Sequence, residues 1–429
     1  MEARQETLTA QTGTPPQAPA LSAVGCPLSA ARTTVLANAL FRGRRVDVAI
    51  AGTRIAAVES AGTLANLPAK ERRDCTGFLL RPPFYNGHTH HAMTLLRGID
   101  DDRALMPWLE ECIWPREREL TPERVYRGTC LAIAESLLSG CVAFNDMYFH
   151  QPAILQAARD MGVRARVGIV WQDQNARHFQ NAETRELAAG LPPTLGLTLA
   201  PHSLYTTTEA DLRAVAAEAD ATGLPIHIHA AESPLEHTIA RERFGTESPI
   251  AYLERCRILR PGTLIAHACH LSDRDRDLLA QRGCTLVTCP NSNAKLASGT
   301  FHWAKARAAG IPVIVGTDGA ASNNALSMIA ETKAAALTAK ASAGDPAALP
   351  FAELDRAVTE TAAAALGFPN AGRIAPGAEA DLLLIRLDHP VFAAGGNPDA
   401  NFIYAGDSAL VDSVYCAGRC LVRNGRLLV

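Results

Sequence analysis

The chain has 429 residues, 48% of them hydrophobic and 20% charged, which predicts a globular protein long enough for one barrel-sized domain and a smaller one. Its formal net charge of −3 comes without a basic run or an acidic tail, so we expect neither nucleic acid nor a membrane as partner, and no uncharged apolar run is long enough to cross a bilayer. The eleven cysteines are scattered singly, without a zinc-ribbon spacing, which predicts reduced thiols in a cytoplasmic protein.

Residues 1–22 mix Gln, Thr, Pro and Ala without apolar periodicity or a signal-peptide pattern, and we predict a disordered tail there. Short strands follow, and similar strands return at the far end of the chain with turn residues between them. The predicted strands are 34–36, 46–50, 54–58, 380–385, 413–416 and 419–422. Both ends of the chain are therefore predicted to belong to one small β domain.

The middle of the chain alternates apolar strands with Ala-, Leu-, Arg- and Glu-rich helical stretches. The strands are predicted at 166–171, 197–200, 225–229, 263–267, 285–289 and 312–316. This alternation indicates repeated βα units around a parallel sheet. The span of residues 85–368 suits a (β/α)₈ barrel, which typically takes about 250 residues. A doubly wound open sheet is the alternative, but no glycine-rich phosphate fingerprint follows an early strand.

Polar residues that can bind a metal stand where several of these strands end. His88 and His90 are two apart on an extended strand, so their side chains point to the same side and can share one ion. His229 and Asp318, from distant strands, would complete a nitrogen and oxygen ligand set for zinc or ferrous iron. His267 ends another strand. Because the active sites of such barrels lie at the carboxyl ends of the strands, the motifs and the fold prediction support each other.

Together these segments resemble the amidohydrolase superfamily, specifically the branch with S-adenosylhomocysteine and 5′-methylthioadenosine deaminases and the related triazine hydrolases. The matching segments are Asn86 to His90, Leu96 to Gly98, Trp108 to Glu110, Pro201 to Ser203, His229 to Glu232, Pro290 to Asn293, Gly316 to Asn324, Gly372 to Ile374 and Pro376-Gly377.

The resemblance implies a distorted (β/α)₈ TIM barrel over residues 85–372 and a β-sandwich built from residues 23–84 and 373–429. It also implies one divalent metal ion, zinc first and iron as the alternative. The implied ligands are His88, His90, His229 and Asp318. The positions of Glu232 and His267 carry acid and base roles in the family.

Hydrolytic deamination explains why these residue types are needed. Hydroxide must reach a ring carbon at neutral pH, and a metal lowers the pKa of bound water from about 15.7 to about 7. Glu232, outside the metal shell, is predicted to protonate the ring nitrogen, and Asp318 to pass the water proton to the departing amine. His267 would orient the hydroxide or share the proton transfer. No lysine ends the strands 166–171 or 197–201, which favours one metal over the two-metal, carbamylated-lysine arrangement.

Three further histidines need separate predictions. His91 is predicted to point away from the metal because it neighbours His90 on a strand. His227 is predicted to face away from His229 and to be a packing residue. His270, three residues after His267, is the alternative to it at that strand end.

Two residues are predicted to bind substrate. Trp108 would form a wall of the pocket, the alternative being a core tryptophan. His202 would contact substrate, the alternative being a structural hydrogen bond. Pro107 stands where nucleoside-handling relatives commonly carry a glutamate that contacts ribose. This departure predicts weak discrimination between a nucleoside and its free base.

The predicted function is hydrolytic deamination of an amino-substituted nitrogen heterocycle, with release of ammonia. Adenosine derivatives of the S-adenosylhomocysteine, 5′-methylthioadenosine or adenosine type come first. A guanine-like, pterin or s-triazine deaminase or chlorohydrolase on the same site is the alternative, and a non-catalytic barrel subunit is an alternative of another class. The expected partners are a small heterocyclic substrate and further copies of the chain in a homo-oligomer.

Overall fold

A computed structural model describes residue 31 and residues 33–172 and 186–429 of the chain. The predicted disordered tail, residues 1–22, lies outside the described residues. Among the residues described, none of the helices is both long enough and apolar enough to cross a membrane.

Strands from both ends of the chain form one sheet. Its strands are β1 (Thr33–Phe41), β2 (Arg44–Ala51), β3 (Arg54–Ser60), β4 (Glu71–Asp74), β5 (Phe78–Arg81), β14 (Leu382–Arg386), β15 (Val411–Cys416), β16 (Arg419–Arg423) and β17 (Arg426–Leu427). Their order is β17-β16-β15-β14-β5-β1-β2-β3, with β4 paired to β1. The amino-terminal and carboxyl-terminal strands meet where β5 pairs antiparallel with β14.

A shared core explains why the two chain ends fold together. Leu36 and Val48 from the amino-terminal strands belong to the same buried cluster as Leu382 and Tyr415 from the carboxyl-terminal strands. Neither half could bury these side chains alone, so the β-rich domain needs both ends of the chain. The domain boundaries at residues 84 and 373 stay predictions. Hydrogen bonds link the strands of this β-rich domain into one continuous path.

The middle of the chain forms the predicted barrel from eight parallel strands. They are β6 (Phe84–Thr89), β7 (Cys141–Asp146), β8 (Arg164–Trp171), β9 (Leu195–Pro201), β10 (His227–Ala230), β11 (Leu264–His267), β12 (Thr285–Thr288) and β13 (Val313–Val315). They pair as two four-stranded sheets, β6 to β9 and β10 to β13. A parallel bridge between Leu199 and Ile226 joins the sheets on one side. On the other, Asp318 N donates to His88 O at 3.0 Å, and the distorted barrel closes.

Helices surround the barrel and cover its ends. The α-helices are Leu105–Pro107, Trp114–Glu117, Pro122–Leu138, Gln151–Met161, Glu209–Thr222, Pro234–Phe244, Pro249–Arg255, Asp273–Gln281, Pro290–Lys295, Trp303–Ala308, Ala320–Asn323, Met328–Ala343, Phe351–Val358, Glu360–Ala365, Pro390–Ala393 and Pro398–Ala405. Two 3₁₀ helices, His91–Leu96 and Ser408–Leu410, and one π-helix, Trp108–Ile113, complete the helical elements that the structure describes.

Local sequence determines where many of these helices begin and end. Thr208 and Ser272 close capping boxes with the acidic residue three positions later, which satisfies backbone N–H groups at the first turn. Gly162 and Gly223 end their helices in the left-handed conformation that glycine adopts without strain. The barrel strands β9 to β13 are buried along their whole length, as expected for parallel strands covered on both faces.

One glycine permits the closure of the barrel next to the candidate site. A Cβ atom on Gly316 would lie 2.7 Å from the backbone nitrogen of His88 and 2.9 Å from its carbonyl oxygen. Such contacts are too short for any side chain, so strands β13 and β6 approach this closely only because residue 316 is glycine.

A buried ion pair links the barrel to the β-rich domain. Arg164, at the start of β8, donates to Asp381 from Nε at 2.7 Å and from Nη2 at 3.0 Å. The Tyr85 hydroxyl donates to the same carboxylate at 2.5 Å, and the backbone N–H of Ala417 does so at 2.7 Å. Asp381 therefore carries four hydrogen bonds from both domains.

Replacing Asp381 with Ala is expected to lower the free energy of unfolding by about 3–5 kcal/mol, because it leaves the Arg164 guanidinium buried without its main partner. Arg127→Ala is the matched control, since it removes an exposed arginine whose ion pair with Glu123 contributes about 0–1 kcal/mol. Urea denaturation of the two variants measures the difference. Equal and small losses of unfolding free energy in the two variants would show that the Arg164–Asp381 pair does not hold the domains together.

Candidate metal centre and active site

The barrel brings the predicted site residues to one end. His88 lies near the end of β6, His229 in β10 and His267 at the end of β11, while Asp318 follows β13. Two of these residues have left-handed backbones, with φ of 68° at His267 and 60° at Asp318. A side chain in that region costs on the order of 1–3 kcal/mol, and such strain concentrates at functional sites.

Four side chains form a group that can hold a metal ion, called here the metal group: His88, His90, His229 and Asp318. Their ligand atoms all lie within 4.8 Å of one another. The Nε2 atom of His229 lies 3.1 Å from that of His88 and 3.3 Å from that of His90. Asp318 Oδ1 lies 3.2 Å from the Nε2 atoms of His88 and His90.

These separations fit one tetrahedral ion. Ligand atoms about 2.0–2.1 Å from a zinc ion at tetrahedral angles stand about 3.3–3.4 Å apart. Four of the six pairs of ligand atoms already show nearly that spacing, and the other two pairs lie within 4.8 Å. Three imidazoles and one carboxylate are a donor set for a divalent transition metal. Among the described residues, this is the cluster of His, Cys, Asp and Glu side chains suited to an ion.

Hydrogen bonds at the far side of the rings orient the three imidazoles. His90 Nδ1 donates to Met147 O at 2.6 Å, and His229 Nδ1 donates to His202 O at 2.7 Å. Each ring therefore presents the lone pair of Nε2 to the metal position. His88 Nδ1 shares a 2.9 Å hydrogen bond with His227 Nε2.

The contact with His227 corrects one expectation. His227 and His229 both contact His88, so they lie on the same side of β10, as residues two apart on a strand do. The prediction that His227 faces away from His229 is wrong. His227 supports a ring of the metal group from behind, and Asn145 Nδ2 lies 3.0 Å from its other ring nitrogen.

The charge of the Asp318 carboxylate is stabilised inside the barrel. Burial alone would raise the pKa of Asp318, but hydrogen bonds with His88 and His90 hold that pKa well below its ordinary value. The side chain therefore stays an anion at neutral pH, as a metal-binding carboxylate must.

Glu232 lies beside the metal group without belonging to it. Its Oε2 atom is 3.9 Å from His267 Nε2, and Ser298 Oγ donates to its Oε1 at 3.1 Å. Burial raises the pKa of the Glu232 carboxyl. A raised pKa favours the protonated form of a carboxyl, which suits a group that donates a proton to a substrate.

The backbone around Glu232 is held by a second carboxylate. Glu236 accepts hydrogen bonds from the backbone N–H groups of Ala231 at 2.9 Å, Glu232 at 2.7 Å and Ser233 at 3.3 Å. His267 is anchored in a similar way, because its Nδ1 atom lies 2.7 Å from Asn293 Oδ1. The acid and the imidazole therefore both face the pocket from rigid supports.

A pocket of about 580 Å³ opens above these residues. Its lining comprises His90, Met93, Leu105, Trp108, Leu109, Trp114, Glu117, Met147, Tyr148, Phe149, Val170, Gln172, His202, Tyr205, His229, Glu232, His267, Leu296, Asp318 and Ser322. Mostly apolar and aromatic walls with a few polar groups suit a flat heterocycle.

Both residues predicted to bind substrate line this pocket. Trp108 is buried, and its Nε1 hydrogen has no acceptor among the described residues, so it can donate to a substrate. The Nδ1 atom of His202 lies 2.9 Å from Thr206 Oγ1, which leaves Nε2 for another partner. Burial lowers the pKa of His202 to about 3, so the ring is neutral. Their roles in binding stay predictions.

Sequence reasoning missed Glu117. Pro107 is exposed and outside the pocket lining, so the residue at that position cannot determine how a sugar binds. Glu117 lines the pocket ten positions later, and burial raises the pKa of its carboxyl. The available signal was a carboxylate three positions after Trp114, close to a second tryptophan, Trp108.

His91 and His270 lie apart from the metal group. His91 is buried, and its ring centroid lies 4.0 Å from that of Phe144, which agrees with a packing role. His270 Nε2 lies 2.6 Å from the carbonyl oxygen of Ser298, and His270 does not line the pocket, whereas His267 does.

Comparisons with known proteins agree with this geometry. A 5′-deoxyadenosine deaminase from Methanothermobacter thermautotrophicus is 39% identical over 393 residues, which cover 90% of this chain and 91% of that protein. A 5-methylthioadenosine/S-adenosylhomocysteine deaminase from Pelotomaculum thermopropionicum is 38% identical over 388 residues, 89% of each. A solved adenosine deaminase from Xanthomonas campestris with bound zinc has 32% identity and a TM-score of 0.87, covering 92% of this chain and 94% of that one.

The family comparison covers most of the chain. The model of the amidohydrolase family matches residues 79–421, which include every residue of the metal group together with Glu232 and His267. With the barrel, the metal group and the relatives in agreement, the chain belongs to the amidohydrolase family.

Proposed function

We propose that this protein is a metal-dependent hydrolase that deaminates the adenine ring of an adenosine derivative and releases ammonia. The observation that carries the proposal is the buried carboxyl of Glu232, which shares one pocket with the metal group and lies 3.9 Å from His267. The names of the relatives, 5′-deoxyadenosine deaminase and 5-methylthioadenosine/S-adenosylhomocysteine deaminase, support an adenosine derivative as substrate.

The metal group would hold one divalent ion, and we propose zinc, because three imidazoles and a carboxylate suit it and a relative has been solved with zinc bound. Such an ion supplies a nucleophile at neutral pH by lowering the pKa of bound water to about 7. Iron is the alternative ion.

The chain's own groups would move the protons. Glu232, with its raised pKa, would protonate the ring nitrogen so that attack leaves no charge on the ring. Asp318 would accept the proton of the attacking water and pass it to the departing amine. His267, anchored by Asn293, would orient the water.

The alternative from another functional class is a barrel without catalytic activity. That alternative predicts that Glu232, Asp318 or His267 is lost or misplaced. Each of them is present and faces the pocket, which favours catalysis. Cytoplasmic location and assembly into a homo-oligomer stay predictions.

The decisive experiment is an ammonia-release screen of the zinc-loaded protein against 5′-deoxyadenosine, 5′-methylthioadenosine, S-adenosylhomocysteine, adenosine, adenine, guanine, a pterin and an aminotriazine. We expect the highest kcat/KM among the adenosine derivatives. A preference for guanine, the pterin or the triazine would replace the proposed substrate class. Chloride release from a chlorotriazine would change the leaving group.

Glu117 leads to a prediction about ribose. Glu117 is half-buried. A carboxylate that accepts hydrogen bonds from a sugar diol contributes about 1.5–3 kcal/mol, roughly 10- to 150-fold in kcat/KM. Glu117→Gln is expected to lower kcat/KM for the preferred nucleoside by that factor and to leave adenine nearly unchanged. Parallel steady-state assays of both substrates measure it.

Glu110→Gln is the matched control, because Glu110 is exposed on the preceding helical segment and does not line the pocket. If Glu117→Gln weakens turnover of adenine and of the nucleoside equally, Glu117 does not contact ribose.

A further inference from the structure

The two oxygens of the Asp318 carboxylate lie in different environments. Its Oδ1 atom faces the Nε2 atoms of His88 and His90 at 3.2 Å. Its Oδ2 atom accepts a hydrogen bond from Ser292 Oγ at 2.6 Å and another from Ser322 Oγ at 2.7 Å. The two hydroxyls therefore set the rotation of the carboxylate and direct one oxygen toward the metal position.

The two serines lie on separate short helices. Ser292 belongs to the helix Pro290–Lys295, which follows β12, and Ser322 belongs to the helix Ala320–Asn323, which follows β13. Helices this short are held by their surroundings more than by their own hydrogen bonds. The positions of both hydroxyls therefore depend on what anchors these two segments.

One buried carboxylate anchors both segments. Glu331, in the helix Met328–Ala343, accepts hydrogen bonds from the backbone N–H of Asn291 at 3.0 Å and from its Nδ2 at 2.6 Å. Asn323 Nδ2 donates to the same carboxylate at 2.8 Å. Asn291 and Asn323 are the immediate neighbours of the two serines, so Glu331 connects both of them.

Helix packing alone does not explain a carboxylate at this position. Glu331 is 0% exposed, and among the described residues it has no Lys or Arg partner in any ion pair. Burying such a group is costly, and an apolar side chain of similar volume would pack the helix at lower cost. Its three hydrogen bonds all go to the two segments that hold Asp318 in place.

We propose that Glu331 is a positioning residue for Asp318, acting through Asn291–Ser292 on one side and Asn323–Ser322 on the other. It keeps Asp318 Oδ1 directed toward the metal position while Oδ2 stays occupied by the two hydroxyls. Metal retention and the proton transfer assigned to Asp318 then both depend on a side chain that touches neither substrate nor metal. The part that concerns turnover rests on the proposed function.

Glu331→Gln is the test, since it keeps the volume but offers one acceptor oxygen where three donors converge. One Asn donor must then face the amide NH₂. Residues that orient metal ligands typically contribute 10- to 100-fold in metal affinity or activity. We therefore expect Glu331→Gln to lose zinc to a chelator at least about 10-fold faster than wild type. We also expect kcat to fall about 10-fold or more with KM within about threefold of wild type.

A double-mutant cycle separates positioning from general stability. In a Ser292→Ala/Ser322→Ala background the route to Asp318 is already broken, so adding Glu331→Gln should change zinc loss and kcat by less than about twofold. Thr332→Val is the matched control, because it removes a buried hydrogen bond that stays within the same helix. We expect wild-type zinc retention and kcat in that variant.

Three results would overturn the proposal. The first is wild-type zinc retention and kcat in Glu331→Gln with only a lowered Tm. The second is that the effects of Glu331→Gln and of the two serine substitutions add fully. The third is that Thr332→Val changes zinc loss and kcat as much as Glu331→Gln does. If Glu331→Gln does not fold, Asn323→Ala removes one of the two connections and must show the same faster zinc loss. Zinc loss is measured without substrate, so it tests the positioning role even if the protein deaminates none of the compounds screened.

Discussion

Replacing Glu232 with Gln is expected to lower kcat by roughly 10²- to 10⁴-fold, the usual contribution of a positioned acid or base. The amide keeps the shape of the side chain and the hydrogen bond with Ser298, but it has no acidic proton to transfer to a ring nitrogen. Glu232 lies outside the metal group, so zinc content should stay at about one ion per chain. Steady-state kinetics and elemental analysis of the same preparation measure both quantities.

The matched control is Glu242→Gln, an exposed residue in the helix that follows Glu232. It should turn over at the wild-type rate. Near-normal kcat in Glu232→Gln with zinc retained would remove Glu232 from the mechanism and leave His267 or Asp318 as the proton donor. Loss of zinc in that variant would mean that Glu232 belongs to the metal site.

His90→Ala is expected to bind zinc more than about 100-fold more weakly, because losing a direct ligand should cost more than the 10- to 100-fold lost with a supporting partner. Activity should fall with zinc content. Wild-type protein stripped with a chelator should regain activity when about one equivalent of zinc is added, and His90→Ala should not. Elemental analysis and zinc titration check the stoichiometry.

His302→Ala is the control for this experiment, since His302 is exposed and is not part of the metal group. It should keep one zinc ion and full activity. Two ions per chain in the wild-type protein, or an active preparation without metal, would contradict the single-metal site.

The strands that could be predicted share a clear local pattern. Six of the nine strands in the β-rich domain and six of the eight barrel strands are short apolar runs between polar or turn residues, and the structure places strands at all of those positions. The strand Cys141–Asp146 was missed, because it carries no motif residue and directly follows a long helix. Its role in the barrel depends on pairing with β6 and β8, residues far apart in the chain.

The metal group could be recognised from the sequence because its residue types, at these positions in the strands, have few functions other than metal binding. His88 and His90 must share a side of a strand, and an ion requires further donors of the same chemistry. The supporting residues had no such signal. Glu117 and Glu331 lie outside every segment that resembles the superfamily. Ser292 and Ser322 lie inside two such segments, but the role of each comes from where the fold places it.

The chemistry of the site could therefore be predicted from the sequence, because metal ligands and catalytic acids are limited to a few side-chain types at characteristic spacings. Which groups orient those ligands, and which carboxylate lines the pocket, was decided by the closed barrel. Hydrogen bonds act over about 3 Å, and no local pattern in the chain indicates which distant residues will come that close. Glu331 and Asp318 illustrate the difference, since two separate short helices connect them and neither connection is visible before the chain folds.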